Sequence, residues 1–160
     1  MKGKFKILFL ALAIVSIFSV AAFASSAWSG TISCYPWTNI YISYQGKSVP
    51  HKGSVLFFNN DYASAATRFD YMNHDGVSGP TANATVTSQA VMYYISGGSQ
   101  QIAYGATSTD STNISQPYPK VAAEASSNAT ANTLSATSVI GYHTVTNAYG
   151  DRSGSTDASF

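Results

Sequence analysis

The chain has 160 residues, and only 9% of them are charged, with eight Lys and Arg against seven Asp and Glu. Because no basic stripe is present that could neutralise a run of phosphates, this balance excludes a typical nucleic-acid-binding protein. Eleven tyrosines and 45% hydrophobic residues exclude a disordered chain, since disordered segments are poor in aromatic and branched side chains.

The N-terminus has the three parts of a secretory signal peptide. A basic head at residues 2–6 precedes an apolar run at residues 7–20, and Ala24 ends a small-x-small sequence that fits a signal-peptidase site. We predict cleavage between Ala24 and Ser25, with a second candidate site after Ala27. An uncut membrane anchor is the alternative, because the apolar stretch is only marginally long enough to span a bilayer.

Cleavage at this site changes the composition of the remaining chain. Residues 25–160 number 136, which is enough for one domain with its own core. Three lysines leave with the head, so five cations and seven acids remain and the formal charge becomes −2. We therefore predict a secreted, extracellular and weakly acidic protein with no stable membrane span after cleavage.

Cys34 is the only cysteine in the chain. An internal disulfide is therefore excluded, although the predicted compartment would permit one. The sequence predicts a free thiol buried as a small apolar side chain. A reactive thiol and pairing with another chain are the alternatives.

The first strand signal is an alternation of apolar and polar residues at 38–44. It places Ile40, Ile42 and Tyr44 on one face, as in a half-buried strand. Residues 45–47, Gln-Gly-Lys, predict a turn after this strand.

The next segments alternate less regularly. Residues 54–58 form a short apolar run, and residues 62–72 alternate loosely. Residues 73–76 predict a hairpin turn, because Asp-Gly tolerates positive φ. Residues 84–95 give the strongest strand signal and end shortly before a Gly-Gly pair.

A low-complexity stretch rich in Ser, Thr, Ala and Asn occupies residues 105–137. It predicts a long loop with one further strand near 120–126. Around this stretch, the remaining predicted elements are a short strand at 101–104, a strand at 138–149, a turn at 150–152 and a last strand at 155–160.

Short strands separated by Gly, Pro and Asn predict an all-β fold. We predict a single antiparallel β-sandwich over residues 25–160, preceded by a signal-peptide helix at residues 1–24. A small β-barrel is the alternative architecture.

The sequence predicts no catalytic site, no metal site and no cofactor. His51, His74 and His143 lack the spacing of zinc ligands and are expected on strand faces or in solvent. The single glutamate, Glu124, provides no carboxylate pair for glycoside hydrolysis, and no Gly-x-Ser-x-Gly elbow occurs. An enzyme is therefore not predicted.

Aromatic residues are the better lead to function. Exposed Tyr and Trp stack on sugar rings or anchor a protein partner at low entropic cost, although Tyr also simply suits strands. Because neighbouring strand residues point to opposite faces, one of two adjacent tyrosines is expected in the core and the other outside. The candidate binding residues are Trp28, Tyr35, Trp37, Tyr93 and Tyr94.

The segment 142–156, which contains Tyr-His-Thr and later Tyr-Gly-Asp-Arg-Ser-Gly-Ser-Thr, resembles the ends of small secreted proteins of Gram-positive bacteria. These are rich in Ser and Thr, and some are grouped loosely with bacteriocins of the lactococcin 972 type. The resemblance carries over no functional residue.

We predict a non-enzymatic binding or structural protein of the cell exterior, with a cell-surface glycan or protein as partner. A bacteriocin-like toxin is the alternative, and a small secreted hydrolase is the third candidate. The oligomeric state stays open.

Overall fold

A computed structural model describes residues 26–34, 40–55, 59–73, 82–114 and 120–160. The predicted signal-peptide helix and the cleavage site between Ala24 and Ser25 lie outside these residues, as does the predicted turn after Asn73. Within the described ranges, no helix is long and apolar enough to cross a membrane.

Within these ranges, nine strands form two antiparallel sheets that pack as a sandwich. The strands are β1 (Ala27–Ser33), β2 (Ile40–His51), β3 (Tyr62–Asn73), β4 (Ala82–Ser96), β5 (Ser99–Tyr104), β6 (Ser108–Ile114), β7 (Lys120–Thr130), β8 (Ala136–Asn147) and β9 (Gly150–Ser159). One sheet has four strands in the order β1-β2-β3-β7, and the other has five, in the order β5-β4-β8-β9 with β6 also paired to β4. Since β8 occupies one edge of β4, β5 and β6 share its other edge. The sandwich prediction is thereby confirmed.

The turn predicted at residues 45–47 is wrong, because β2 runs through them without a break. Gly46 faces the interior there, and a Cβ atom on it would lie 2.5 Å from Cγ of His143. The glycine therefore makes room for a buried ring instead of turning the chain. In the apolar run at 54–58, the two described residues, Ser54 and Val55, do not belong to a strand.

The loop predicted within residues 105–137 is wrong where β6 lies, whereas the strand predicted near 120–126 is confirmed by β7. In β7, Ala123, Ala125, Ser127 and Ala129 are buried, whereas Glu124, Ser126 and Asn128 between them are exposed. Buried and exposed positions therefore alternate as in any half-buried strand, although the buried side chains are small. The predicted turn at 150–152 lies slightly earlier, because β9 already begins at Gly150.

The interior is built from two apolar clusters. Phe69, Ile42 and Ile32 are the largest buried members of one, which also contains the fully buried Cys34. Met92 and Val139 are the largest buried members of the other cluster, which otherwise consists of alanines. Burial raises the pKa of the Cys34 thiol, which keeps it protonated and unreactive.

Candidate functional site

Large apolar side chains are exposed on the outer face of the five-stranded sheet. Their exposed fractions are 42% for Ile95, 44% for Ile102, 47% for Tyr142 and 68% for Tyr104. We call this surface the tyrosine face and define it by Tyr93, Ile95, Ile102, Tyr104, Ile140 and Tyr142. Such a grouping differs from single scattered apolar residues, which are normal on protein surfaces.

Strand register brings these residues together. Tyr93 of β4 lies opposite Ile102 of β5, and Val91 lies between Tyr104 and Ile140 in the next row. Residues directly opposite in antiparallel strands share a face. Val91 is therefore only 2% exposed although it points outward.

The β4–β5 hairpin carries four of the six residues of this surface. Its turn consists of Gly97 and Gly98, with φ values of 57° and 78°, in the left-handed region that favours glycine. All of β5 is exposed except the half-buried Ala103. The hairpin thus projects the tyrosine face into solvent.

Strands β4 and β5 of the tyrosine face carry no charge, whereas Asp157 of β9 lies opposite Ile140 at its border. No Asp, Glu, Lys or Arg occurs between Asp75 and Asp110, a segment that includes all of β4 and β5. Thr87 and Thr144 form a hydroxyl pair beside it, hydrogen-bonded through their Oγ1 atoms. The face therefore offers aromatic rings and uncharged hydroxyls.

Of the predicted binding residues, Trp28, Tyr93 and Tyr94 lie in the described part of the chain, and they do not share one face. Trp28 is half-buried, with its ring centroid 4.5 Å from that of Tyr44 and 5.8 Å from that of His143, on which it stacks. Tyr94 packs against the core, while Tyr93 lies on the tyrosine face. Tyr35 and Trp37 lie outside the described residues.

Sequence analysis missed Tyr104 and Tyr142 as candidate binding residues. The signal was present, because each alternates with smaller or inward-facing residues in a strand. Only the sheet order, however, shows that β5, β4 and β8 place them on one face.

The outer face of the four-stranded sheet is polar by contrast. It carries a shallow groove of about 320 Å³. Nε and Nη2 of Arg68 donate to Asp70 at 2.7 and 2.8 Å, and this contact raises the pKa of the guanidinium. The groove is lined by Ala27, Ser29, Gln45, Gly46, Lys47, Ala66, Arg68 and Glu124.

His143 lies in a buried polar layer between the two apolar clusters and is 1% exposed. Thr67 Oγ1 donates to the Thr87 carbonyl at 2.6 Å, so it accepts a hydrogen bond from Nδ1 of His143 at 2.8 Å. Nε2 lies 2.8 Å from Thr156 Oγ1. Burial lowers the pKa of His143 to about 4, so the ring is neutral at pH 7. The same burial keeps the ring out of reach of a substrate.

One Ser–His pair lies at the surface, with Nε2 of His51 2.9 Å from Oγ of Ser64. The His51 ring stacks on Tyr62 at 4.1 Å. Among the described residues, no carboxylate hydrogen-bonds to His51, and the backbone of Ser64 is enclosed between β2 and β7. The pair therefore lacks the orienting acid and the free N–H groups that acyl transfer requires.

No group of three or more His, Cys, Asp and Glu in the described part of the chain is placed to hold a metal ion.

The chain matches no known protein family, no curated protein and no solved structure. The resemblance of residues 142–156 to secreted bacterial proteins stays a prediction. The geometry of the tyrosine face is therefore the main basis for a function.

Proposed function

We propose that the protein is a secreted, non-enzymatic binding protein of the cell exterior that holds a cell-surface glycan on its tyrosine face. One observation carries this proposal. Exposed tyrosines and isoleucines gather on strands β4, β5 and β8, which contain no Asp, Glu, Lys or Arg, with Asp157 of β9 at the border. The outer face of the other sheet carries Lys47, Arg68 and Glu124 instead.

Tyrosine suits such contacts for physical reasons. Its ring presents a large apolar surface, its hydroxyl stays hydrated or bonded, and few rotatable bonds are fixed on binding. Strand backbone holds Tyr104 and Tyr142 in place, with only β4 between their strands. Two strand spacings separate them across the sheet by about 10 Å, so one short oligosaccharide can touch both rings.

The neutral neighbourhood favours a glycan over a charged partner. Thr87 and Thr144 lie beside the rings, and Gln89 lies opposite Tyr142. Uncharged hydroxyls and amides match sugar hydroxyls as donors and acceptors. A protein surface is the alternative partner, since aromatic residues also anchor protein interfaces.

A depletion experiment tests the proposal. The secreted protein is mixed with insoluble cell walls and with purified insoluble polysaccharides, and the bound fraction is measured. We expect the double variant Tyr104→Ser/Tyr142→Ser to bind at least tenfold more weakly, because two aromatic anchors are lost. Tyr62→Ser is the matched control, since Tyr62 is 41% exposed but belongs to β3 in the other sheet.

Retention that is equal in the double variant and the control would contradict the proposal. Binding to walls that survives removal of their polysaccharide would identify a protein partner instead. Killing of neighbouring bacteria by the purified protein would favour the bacteriocin-like alternative. Release of soluble fragments from the polymer would favour a hydrolase.

A further inference from the structure

The β5 strand presents an open backbone edge. Among the described residues it pairs only with β4. Gly105, next after β5, donates its N–H to the Ala90 carbonyl at 2.8 Å, so the odd-numbered residues of this segment turn their backbone groups toward β4. Backbone direction alternates along an antiparallel strand. The N–H and C=O groups of Gln100, Ile102 and Tyr104 therefore point away from the sheet, and we call them the open edge.

At two other edges of the sandwich, a neighbouring residue hydrogen-bonds one backbone position of the edge strand. At β9, Ser26 donates its N–H to the Asp157 carbonyl at 2.8 Å, and its Oγ accepts from the Asp157 N–H at 2.6 Å. At β7, the N–H of Glu124 donates to Oδ2 of Asp110 at 2.9 Å.

The open edge has no comparable closure in the described part of the chain. It also carries no Lys and no Pro, the residues that commonly block edge pairing. Strand β5 is therefore available as a template for another strand.

We propose that a second copy of the chain pairs antiparallel with the open edge, with the two-fold axis at Ile102. Ile102 then lies opposite Ile102 of the other copy, and Gln100 lies opposite Tyr104. These residues are the ones with outward backbone groups, so each pair exchanges both of its hydrogen bonds. A two-fold arrangement of this kind is the commonest form of homo-oligomer.

Side chains and charges fit this register. Opposite residues share a face, so the two tyrosine faces join into one continuous surface on a single extended sheet. The junction holds no charged residue, while Asp151, Arg152 and Asp157 lie on β9 at the far ends of that sheet. Two identical chains thus meet without like-charge repulsion.

Mass measurement of the purified secreted protein tests the pairing in the absence of any ligand. We expect the mass to double as concentration rises. Ile102→Lys should stay monomeric, because it places two cations face to face at the axis. Ile95→Lys is the matched control: Ile95 is equally exposed on the same face but lies outside β5 and should still dimerise.

Disulfide cross-linking tests the proposed register of the two β5 strands. Opposite Cα atoms in a hydrogen-bonded antiparallel pair are about 5.5 Å apart, which a disulfide can bridge. Ile102→Cys should therefore form a covalent dimer on oxidation, whereas Tyr104→Cys should not, because its counterpart lies several residues away. The buried Cys34 does not compete.

A wild-type protein that stays monomeric at every concentration would overturn the proposal, as would an Ile102→Lys variant that dimerises normally. If the amides of Gln100, Ile102 and Tyr104 are protected from hydrogen exchange only on the cell surface, another molecule fills the edge and the proposal is wrong. None of these readouts involves glycan, so failure here leaves the proposed function standing.

Discussion

Gly46 and His143 show how single residues set the packing between the two sheets. The imidazole lies against the backbone of β2 at a position where any side chain would collide with it. Sequence alone suggested a turn at this glycine, because Gly-Lys after a strand is a common turn signal. The partner that explains it is distant in sequence and is brought close only by the fold.

Gly46→Ala should lower the free energy of unfolding by about 2 kcal/mol, since the new methyl group overpacks a buried ring. The exposed neighbour Gln45 provides the control, and Gln45→Ala should change stability by less than about 0.5 kcal/mol. Chemical denaturation of both variants makes the comparison. Equal stability of Gly46→Ala and wild type would contradict the close packing.

His143 predicts a pH dependence of stability. Its folded pKa of about 4 lies below the ordinary value of 6.5, so unfolding takes up a proton between these two pH values. Stability is therefore full above pH 6.5 and falls as the pH drops toward 4, by up to about 3 kcal/mol.

His143→Gln removes this titration, while the carboxylates titrate alike in both proteins. The stability difference between wild type and His143→Gln should therefore shrink as the pH falls from 7 to 4. Unfolding curves at several pH values measure it. A constant difference would show that the ring is not held neutral.

At the scale of elements, β4 was predictable and β7 was less so. The strand around residues 84–95 has Val, Met and Tyr at its end, which bury large apolar areas and signal a strand locally. Strand β7 faces the core mainly with alanine, whose side chain carries little strand preference. Its alternation has meaning only against the neighbouring strands β3 and β4.

Asp61 links three elements in a way that sequence reading did not anticipate. Its buried carboxylate accepts hydrogen bonds from Lys52 Nζ, the Gly53 N–H and the Ala136 N–H, at 2.8–2.9 Å. It thus joins the loop after β2 and the start of β8 to the start of β3. The sequence assigns Asp61 no role, because two of its three partners are backbone N–H groups that only the fold brings close.

Asp61→Ala should lower the free energy of unfolding by about 3 kcal/mol, because it leaves buried N–H groups without an acceptor. Asp151→Ala is the matched control, since Asp151 is exposed on β9. Thermal or chemical unfolding compares the two. Similar stabilities of the two variants would contradict the role of Asp61 as a link.

At the scale of the whole molecule, the all-β sandwich followed from short alternating segments and turn residues. The functional surface did not follow from these signals. Trp28, chosen from the sequence, packs beside the core, whereas Tyr104 and Tyr142 come to lie on one sheet face through strand order. Which tyrosines share a face depends on the pairing of strands that are distant in sequence, and this pairing cannot be read from the local sequence.

The central claim is that the protein binds the cell surface through the tyrosine face and not through the other sheet. Chemical nitration of the secreted protein, free and bound to cell walls, tests it most directly when each tyrosine is quantified by mass spectrometry. Tyr104, Tyr142 and Tyr62 are all exposed in the free protein. We predict that binding protects Tyr104 and Tyr142 and leaves Tyr62 reactive. Protection of Tyr62 alone, or equal reactivity of all three in both states, would contradict the account.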